Sequence, residues 1–322
     1  MVATITFLDP VMEKIPQVEA LLMAQVDAKR SPFEAALAGL ISAGGKRLRP
    51  RIALLAGGAL GAEPVPLVNL ATAIEMLHTA TLIHDDLVDG SMLRRGVETL
   101  NAHWSAAASV LVGDLAFTRA ATLIHGTRSL PAIEMFTRTM ALMVEGEVSQ
   151  LAREWGFTCR EDYFHWISAK TAALFELAAG APALLSANGE TAFAAARRFG
   201  YGIGMAFQIV DDVLDFTGDP ARLGKPVGAD LRQGVMTLPA LIYLEDHPAD
   251  PDLGAVIQRK SLDNLALKGL VARICRSAAI DRSLETASDF VRDALKDLAC
   301  LPESPERFAL AEIALEIVER ES

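Results

Sequence analysis

Cysteine is nearly absent from this chain of 322 residues: only Cys159, Cys275 and Cys300 occur, far apart and never as a C-x-x-C pair. That spacing excludes a zinc knuckle and a disulfide framework, and leaves three ordinary thiols suited to a reducing compartment. Basic charge is also in short supply, with 30 Lys and Arg against 41 Asp and Glu and a formal net charge of −11. No nucleic-acid surface is expected from that balance. β-Branched residues rarely alternate with polar ones, so sheet is not indicated. No secretory leader stands out between Met1 and Gln25, a stretch that is amphipathic and broken by Pro10 and Pro16. The most apolar run, Thr171 to Ala187, contains Glu176 and Pro182 and is too short and interrupted to span a bilayer. The expectation is a soluble cytoplasmic protein with at most peripheral membrane contact.

What the chain does have is helix-forming sequence. Hydrophobic residues make up 51% and charged residues 22%, with Ala, Leu, Glu and Met abundant. One stretch, Thr81-Leu82-Ile83-His84-Asp85-Asp86-Leu87-Val88-Asp89, sets three carboxylates into otherwise apolar helical sequence. Asp85 and Asp89 fall one turn apart on one face, with Asp86 offset by about a quarter turn. Carboxylates this close repel unless they are hydrated or share a cation. A hard, oxygen-seeking ion such as Mg²⁺ suits them, the more so when a phosphate supplies further ligands. The pattern is written a second time, as Gln208-Ile209-Val210-Asp211-Asp212-Val213-Leu214-Asp215. Burying two such turns separately is costly. Two helices confronting each other over metal ions, and gripping a diphosphate between them, account for the doubling.

Cations cluster around this theme. Gly44-Gly45-Lys46-Arg47-Leu48-Arg49-Pro50 offers a glycine turn followed by three cations. It is either plain surface charge or a diphosphate clamp, for which an arginine fork and a lysine point charge are well suited. Arg94-Arg95-Gly96 follows the first acidic turn, either as charge compensation or as the cationic side of a cage. His78 lies seven residues before Asp85, either as a core histidine or as a contact on the metal face. Lys170 sits in apolar sequence, either snorkelling or meeting an anion. The polar pair Glu147 and Gln150 fits helix packing or a supporting role equally. Gly200, Gly202 and Gly204 predict close helix packing, since no strand precedes them to make a dinucleotide fingerprint. The Gly/Pro-rich stretch from Gly218 to Asp230 reads as a loop, with Lys225 as a cation on a lid. Helices are expected over Leu21–Leu40 (broken at Ser31-Pro32), Ile52–Leu60, Val68–Val88, Ala106–Leu123 and Leu130–Leu151, with more beyond Met236.

These elements, in this order, resemble the trans-prenyltransferases, the polyprenyl diphosphate synthases. The resemblance runs from about Gly44 to Pro239 and rests on Gly-Gly-Lys-Arg-x-Arg-Pro, the two Asp-Asp-x-x-Asp turns, Arg-Arg-Gly, Lys-Thr and Gly-Lys-x-x-x-x-Asp. It implies an all-α fold, one helical domain over residues 1–322 around a central apolar cavity, and a homodimer. It implies Mg²⁺-dependent condensation of isopentenyl diphosphate with an allylic diphosphate. Carried over by position, Lys46, Arg49, His78 and Arg95 become contacts for isopentenyl diphosphate, and Arg94, Lys170 and Lys225 contacts for the allylic diphosphate. Asp85, Asp89 and Asp211 become direct metal ligands, supported by Asp86, Asp212 and Asp215. Thr171 and Gln208 fall near the reacting carbons. The sequence departs from the pattern at Val235, where many members carry lysine.

Product length is expected to follow the residues preceding Asp85. Ala80 and Thr81 are small where short-chain members tend to carry aromatics, which implies a product beyond four or five isoprene units. The alternatives are a short-chain synthase making farnesyl or geranylgeranyl diphosphate, a terpene cyclase, and a non-catalytic subunit of a heteromeric synthase. The second diphosphate site implied by Lys46, Arg49 and Arg95 argues against a cyclase, and two intact acidic turns argue against an idle subunit.

Overall fold

Ser31 shows how local sequence sets the helix boundaries. Its extended backbone leaves the hydroxyl free to accept the Glu34 N–H at 3.1 Å, and Pro32 opens the helix with a ring already at helical φ. A computed structural model of the chain describes residues 11–94, 97–152, 159–187, 190–218, 227–258 and 263–320. In order, it contains α1 (Ile15–Met23), α2 (Pro32–Ser42), α3 (Leu48–Ala59) and α4 (Pro64–Val88). A two-residue antiparallel ribbon follows, β1 (Leu93–Arg94) with β2 (Val97–Glu98), pairing Leu93 with Glu98 and Arg94 with Val97. Then come α5 (Leu100–His103), α6 (Ala106–His125), α7 (Leu130–Ala152), α8 (Arg160–Ile167), a π-turn (Ser168–Ala172), α9 (Ala173–Gly180) and a 3₁₀ turn (Ala181–Leu185). The remainder is α10 (Glu190–Thr217), α11 (Ala229–Arg232), α12 (Leu238–Asp246), α13 (Pro251–Ile257), α14 (Asn264–Arg276), α15 (Ala279–Leu298) and α16 (Pro305–Glu319). The small ribbon apart, the described fold is all-α.

Two helices begin earlier than the sequence pattern suggests, and proline is the reason. Pro64 and Pro66 read as a connection before Val68, yet both lie in the first turn of α4. There the missing N–H costs nothing, because the first four helical amides have no intrahelical acceptor anyway. Likewise α3 starts at Leu48 rather than Ile52, with Pro50 in its first turn and Arg47 as a left-handed N-cap at φ 46°.

The chain divides into two compact units. The first comprises Met1–Arg138, Leu174–Gly200 and Asp297–Glu312. Its core is built from Ile52, Leu54 and Leu55 of α3, Leu67, Leu70 and Ile74 of α4, and Val112, Ala116 and Ala120 of α6, all buried. The second comprises Thr139–Ala173, Tyr201–Lys296 and Ile313–Ser322. It buries Tyr163, Ile167, Ile203, Ile209, Ile242, Leu270 and Ile274. The first acidic turn belongs to the first unit and the second acidic turn to the second. All three cysteines are free thiols.

Two of the three glycines before the second acidic turn, Gly200 and Gly202, do reflect close packing. A Cβ at Gly200 would stand 2.4 Å from the Phe175 carbonyl oxygen and 2.8 Å from the Ala179 Cβ. At Gly202 it would stand 2.9 Å from the Ala294 Cβ. The Gly200 neighbours are backbone and a short side chain, so neither can yield. Gly200→Ala is therefore expected to lower the unfolding free energy by about 1–3 kcal/mol, read as a lower denaturant midpoint in chemical unfolding.

Candidate active site

The first acidic turn closes α4. The Asp89 N–H donates to the Asp85 carbonyl at 2.8 Å, which confirms that the two carboxylates stand one turn apart. Asp85 is half-buried, Asp86 buried and Asp89 exposed. This is the C-terminal end of a 25-residue helix, where the unpaired carbonyls carry partial negative charge. Three carboxylates there are doubly unfavourable unless a cation is supplied. The turn is braced by His84, a residue that sequence reasoning passed over. Its Nε2 lies 3.1 Å from the Val110 carbonyl oxygen and 3.7 Å from Asp114, and its ring packs 5.4 Å from Phe117. The ring fits α6 only because residue 113 is glycine: a Cβ there would fall 2.1 Å from Nε2.

The Lys46–Arg49 cluster splits into distinct roles. Arg47, the central cation, is buried and turned inward. Its guanidinium donates to Glu75 and to the Ile41 carbonyl, both at 2.7 Å, with Glu19 at 3.7 Å. It is a structural ion pair. Lys46 is exposed beside the N-terminus of α3. Arg49 reaches His78, Nη1 to Nε2 at 3.1 Å, and its guanidinium lies 4.6 Å from the Phe175 ring centre. An arginine can only donate, so His78 Nε2 is the acceptor and the imidazole carries its proton on Nδ1. Two of the residues expected to meet isopentenyl diphosphate are thus brought together. Ala80 is fully buried, and the Thr81 hydroxyl donates to the His78 carbonyl at 2.8 Å. Arg95, Lys225 and the side chain of Arg94 lie outside the described residues.

In the second unit, Lys170 has an anionic partner: Nζ is 2.8 Å from Glu147 Oε1 and 5.5 Å from the Trp166 ring centre. Gly146, next to Glu147, allows that approach, since a Cβ there would stand 2.7 Å from the Ala169 Cβ. The second acidic turn lies in the last turns of α10, again at a helix C-terminus. Asp212 is buried and both its oxygens accept protein donors, Tyr163 Oη at 2.7 Å and Gln208 Nε2 at 2.8 Å. The Gln208 carbonyl oxygen in turn accepts the Thr171 hydroxyl at 2.6 Å. Burial, and then the nearby charge of Asp230, push the Asp212 carboxyl well above the usual range, while the Tyr163 and Gln208 hydrogen bonds oppose the shift. Burial and the same carboxylate raise the Tyr163 phenol. Asp215 is buried, accepting the Asp230 N–H at 3.2 Å and, through its carbonyl, the Gly228 N–H at 2.8 Å. Asp211 is half-buried and meets Arg320 Nη1 at 3.3 Å, with that guanidinium 4.8 Å from the Phe207 ring centre. Tyr163 and Arg320 left no signal in the sequence, because only folding brings them to the acidic turn.

Among the described residues no three His, Cys, Asp or Glu side chains already form a metal cage. The donors at the two acidic turns are carboxylate oxygens alone, paired one turn apart at negative helix ends. At either turn, donors of that type suit a hard divalent cation, which prefers oxygen ligands.

The sequence pattern of the family described as polyprenyl synthetase matches residues 30–274. The chain belongs to that family. It is a trans-prenyltransferase. An octaprenyl diphosphate synthase from Haemophilus influenzae is 36% identical over 317 residues, covering 97% of this chain and 94% of the relative. A geranyl-diphosphate-specific all-trans-nonaprenyl-diphosphate synthase from Rhodobacter capsulatus is 36% identical, covering 95% and 94%. The crystal structure of a polyprenyl synthase from Caulobacter crescentus, complexed with calcium and isoprenyl diphosphate, superposes with a TM-score of 0.90 at 37% identity, covering 97% of this chain and 96% of that one. Within this trans-prenyltransferase, the inward-turned Arg47 serves the fold, whereas Lys46 is exposed. Arg47→Ala would leave Glu75 buried and unpaired and is expected to cost about 3–5 kcal/mol of stability, whereas exposed Lys46→Ala should shift it by no more than about 0.5 kcal/mol. Urea unfolding of the two variants checks the contrast.

Proposed function

We propose that this chain elongates an allylic diphosphate with isopentenyl diphosphate, head to tail and all-trans, to a product beyond four or five isoprene units. The observation that carries the reading is the pair of Asp-Asp-x-x-Asp turns, each at the C-terminal end of its helix, in a chain matching long-chain synthases over nearly its whole length. Asp85, Asp89 and Asp211 are the proposed ligands for Mg²⁺. Asp86, Asp212 and Asp215, all buried, support them. Magnesium, when bound, neutralises charge on the diphosphate leaving group.

Lys170 contributes its ammonium to the allylic diphosphate, with Arg94 and Lys225 as the other proposed cations for that group. These groups are most valuable where negative charge develops, on the oxygen released as the carbon–oxygen bond breaks. Lys46, Arg49, His78 and Arg95 are the proposed contacts for isopentenyl diphosphate, and the contact between Arg49 and His78 fixes the guanidinium. Thr171 and Gln208 hold the reacting carbons' surroundings rigid through their 2.6 Å hydrogen bond. The allylic cation has to meet the isopentenyl double bond before water does, which requires apolar walls. Proton loss to the departing diphosphate closes each cycle, since no strong side-chain base is evident among the described residues.

We also propose a cytoplasmic homodimer formed through α6. That helix leaves Ala107, Val110, Leu111, Thr118, Ala121 and Thr122 exposed at helical spacing, with Val110 and Leu111 at 41% and 65% exposure. Leu111→Glu is expected to convert a dimer into a monomer in sedimentation velocity, and a wild-type monomer would remove the proposal.

The reaction is tested by incubating the purified chain with geranyl or farnesyl diphosphate, Mg²⁺ and labelled isopentenyl diphosphate, and reading products by mass spectrometry. Long polyprenyl diphosphates are expected, made only when isopentenyl diphosphate is present. Hydrocarbon released without it would indicate a cyclase. Ala80→Phe should shorten the products, and an unchanged length distribution would remove Ala80 as a length-setting residue.

A further inference from the structure

We propose that Tyr163 is a positioning residue for the second acidic turn, acting through Asp212; this rests on the condensation reading above. Tyr163 lies in the first half of α8, fully buried, with its ring 5.4 Å from Phe164 and 6.5 Å from Trp166. Its hydroxyl is spent on one contact, the 2.7 Å donation to Asp212 Oδ2. Gln208 holds the other carboxylate oxygen at 2.8 Å and is itself held by Thr171 at 2.6 Å. The result is one connected set of hydrogen bonds, in which Thr171 donates to Gln208 and both Gln208 and Tyr163 donate to Asp212.

A carboxylate with both oxygens occupied by protein donors acts as a strut. Asp212 is 3% exposed and anchors α10 to α8, and this sets the directions of Asp211 before it and Asp215 three residues later. The same set includes Thr171, next to Lys170, so the cation and the acidic turn are registered by one set of bonds. The π-turn at Ser168–Ala172 is part of the device. Tyr163 and Thr171 are eight residues apart, which on a regular helix leaves them about 80° out of line. A π-turn takes up one extra residue, and that reduces the mismatch to about 20°. Both side chains can then reach α10 together.

Tyr163→Phe removes the hydroxyl and keeps the ring in its place, leaving one buried Asp212 oxygen without its donor. The test uses the full chain and a non-ionising thio analogue of the allylic diphosphate. Calorimetry measures Mg²⁺-dependent binding of the analogue, and steady-state kinetics separate kcat from the KM for isopentenyl diphosphate. Roughly tenfold weaker Mg²⁺-dependent binding and a lower kcat are expected for Tyr163→Phe, at unchanged isopentenyl diphosphate KM. In a double-mutant cycle with Asp212→Asn, adding Tyr163→Phe should cost little more, because both changes break the same strut. The inference is overturned if Tyr163→Phe binds the analogue as the wild type does, or if the two substitutions add independently. It is also overturned if only the melting temperature moves. A wild-type chain that makes no polyprenyl product removes the condensation reading itself, which is a separate result from any of these.

Discussion

A carboxylate at the C-terminal end of a helix faces the negative pole of the backbone dipoles, and this chain sets six there: Asp85, Asp86 and Asp89 on α4, and Asp211, Asp212 and Asp215 on α10. The arrangement works against the ordinary preference for cations at that end. Folding alone gains nothing from it. What makes it tolerable is partly internal, through the Tyr163 and Gln208 donors on Asp212 and the Arg320 guanidinium beside Asp211. The rest of the compensation is left to whatever cation the site takes up. In the first unit His84 is locked against Gly113, and in the second Lys170 is paired with Glu147.

The two acidic turns are held by different means. On α4 the brace comes from the side, with His84 pressed into a gap that only a glycine leaves on α6. On α10 it comes through the carboxylate itself, with Asp212 tied on both oxygens. The first turn accordingly leaves Asp89 exposed and Asp85 half-buried, whereas the second keeps only Asp211 open. Identical motifs in sequence are therefore not identical sites in space. Their residue types are the same, and the side chains that support them differ.

How much of this was legible in the chain depends on how far each interaction reaches. The helices, the break at Ser31-Pro32, the doubled acidic turn and the close packing at Gly200 and Gly202 are written in local spacing, which is enough to read them. The helix starts at Leu48 and Pro64 are not legible, because a proline in a first turn looks the same in sequence as a proline in a loop. Arg47 was grouped with Lys46 and Arg49, and nothing in the run of three cations reveals that the middle one turns inward to Glu75, 28 residues on. His84, Tyr163 and Arg320 carry no periodic or motif signal for their roles. Tyr163 meets Asp212 across 49 positions and Arg320 meets Asp211 across 109, distances over which spacing says nothing.

The π-turn at Ser168–Ala172 also bears on how this helix can change over time. A surplus residue inside a helix is a phase shift: every side chain downstream is turned by about one hundred degrees relative to a regular continuation. Regularising the turn at constant length would tighten the backbone, yet rotate Thr171 off Gln208 and turn Lys170 away from Glu147. Losing one residue ahead of Lys170 would instead leave seven residues of regular helix between Tyr163 and Thr171, still within about 20° of one line, so a single-residue gap there should be tolerated better than a single-residue insertion.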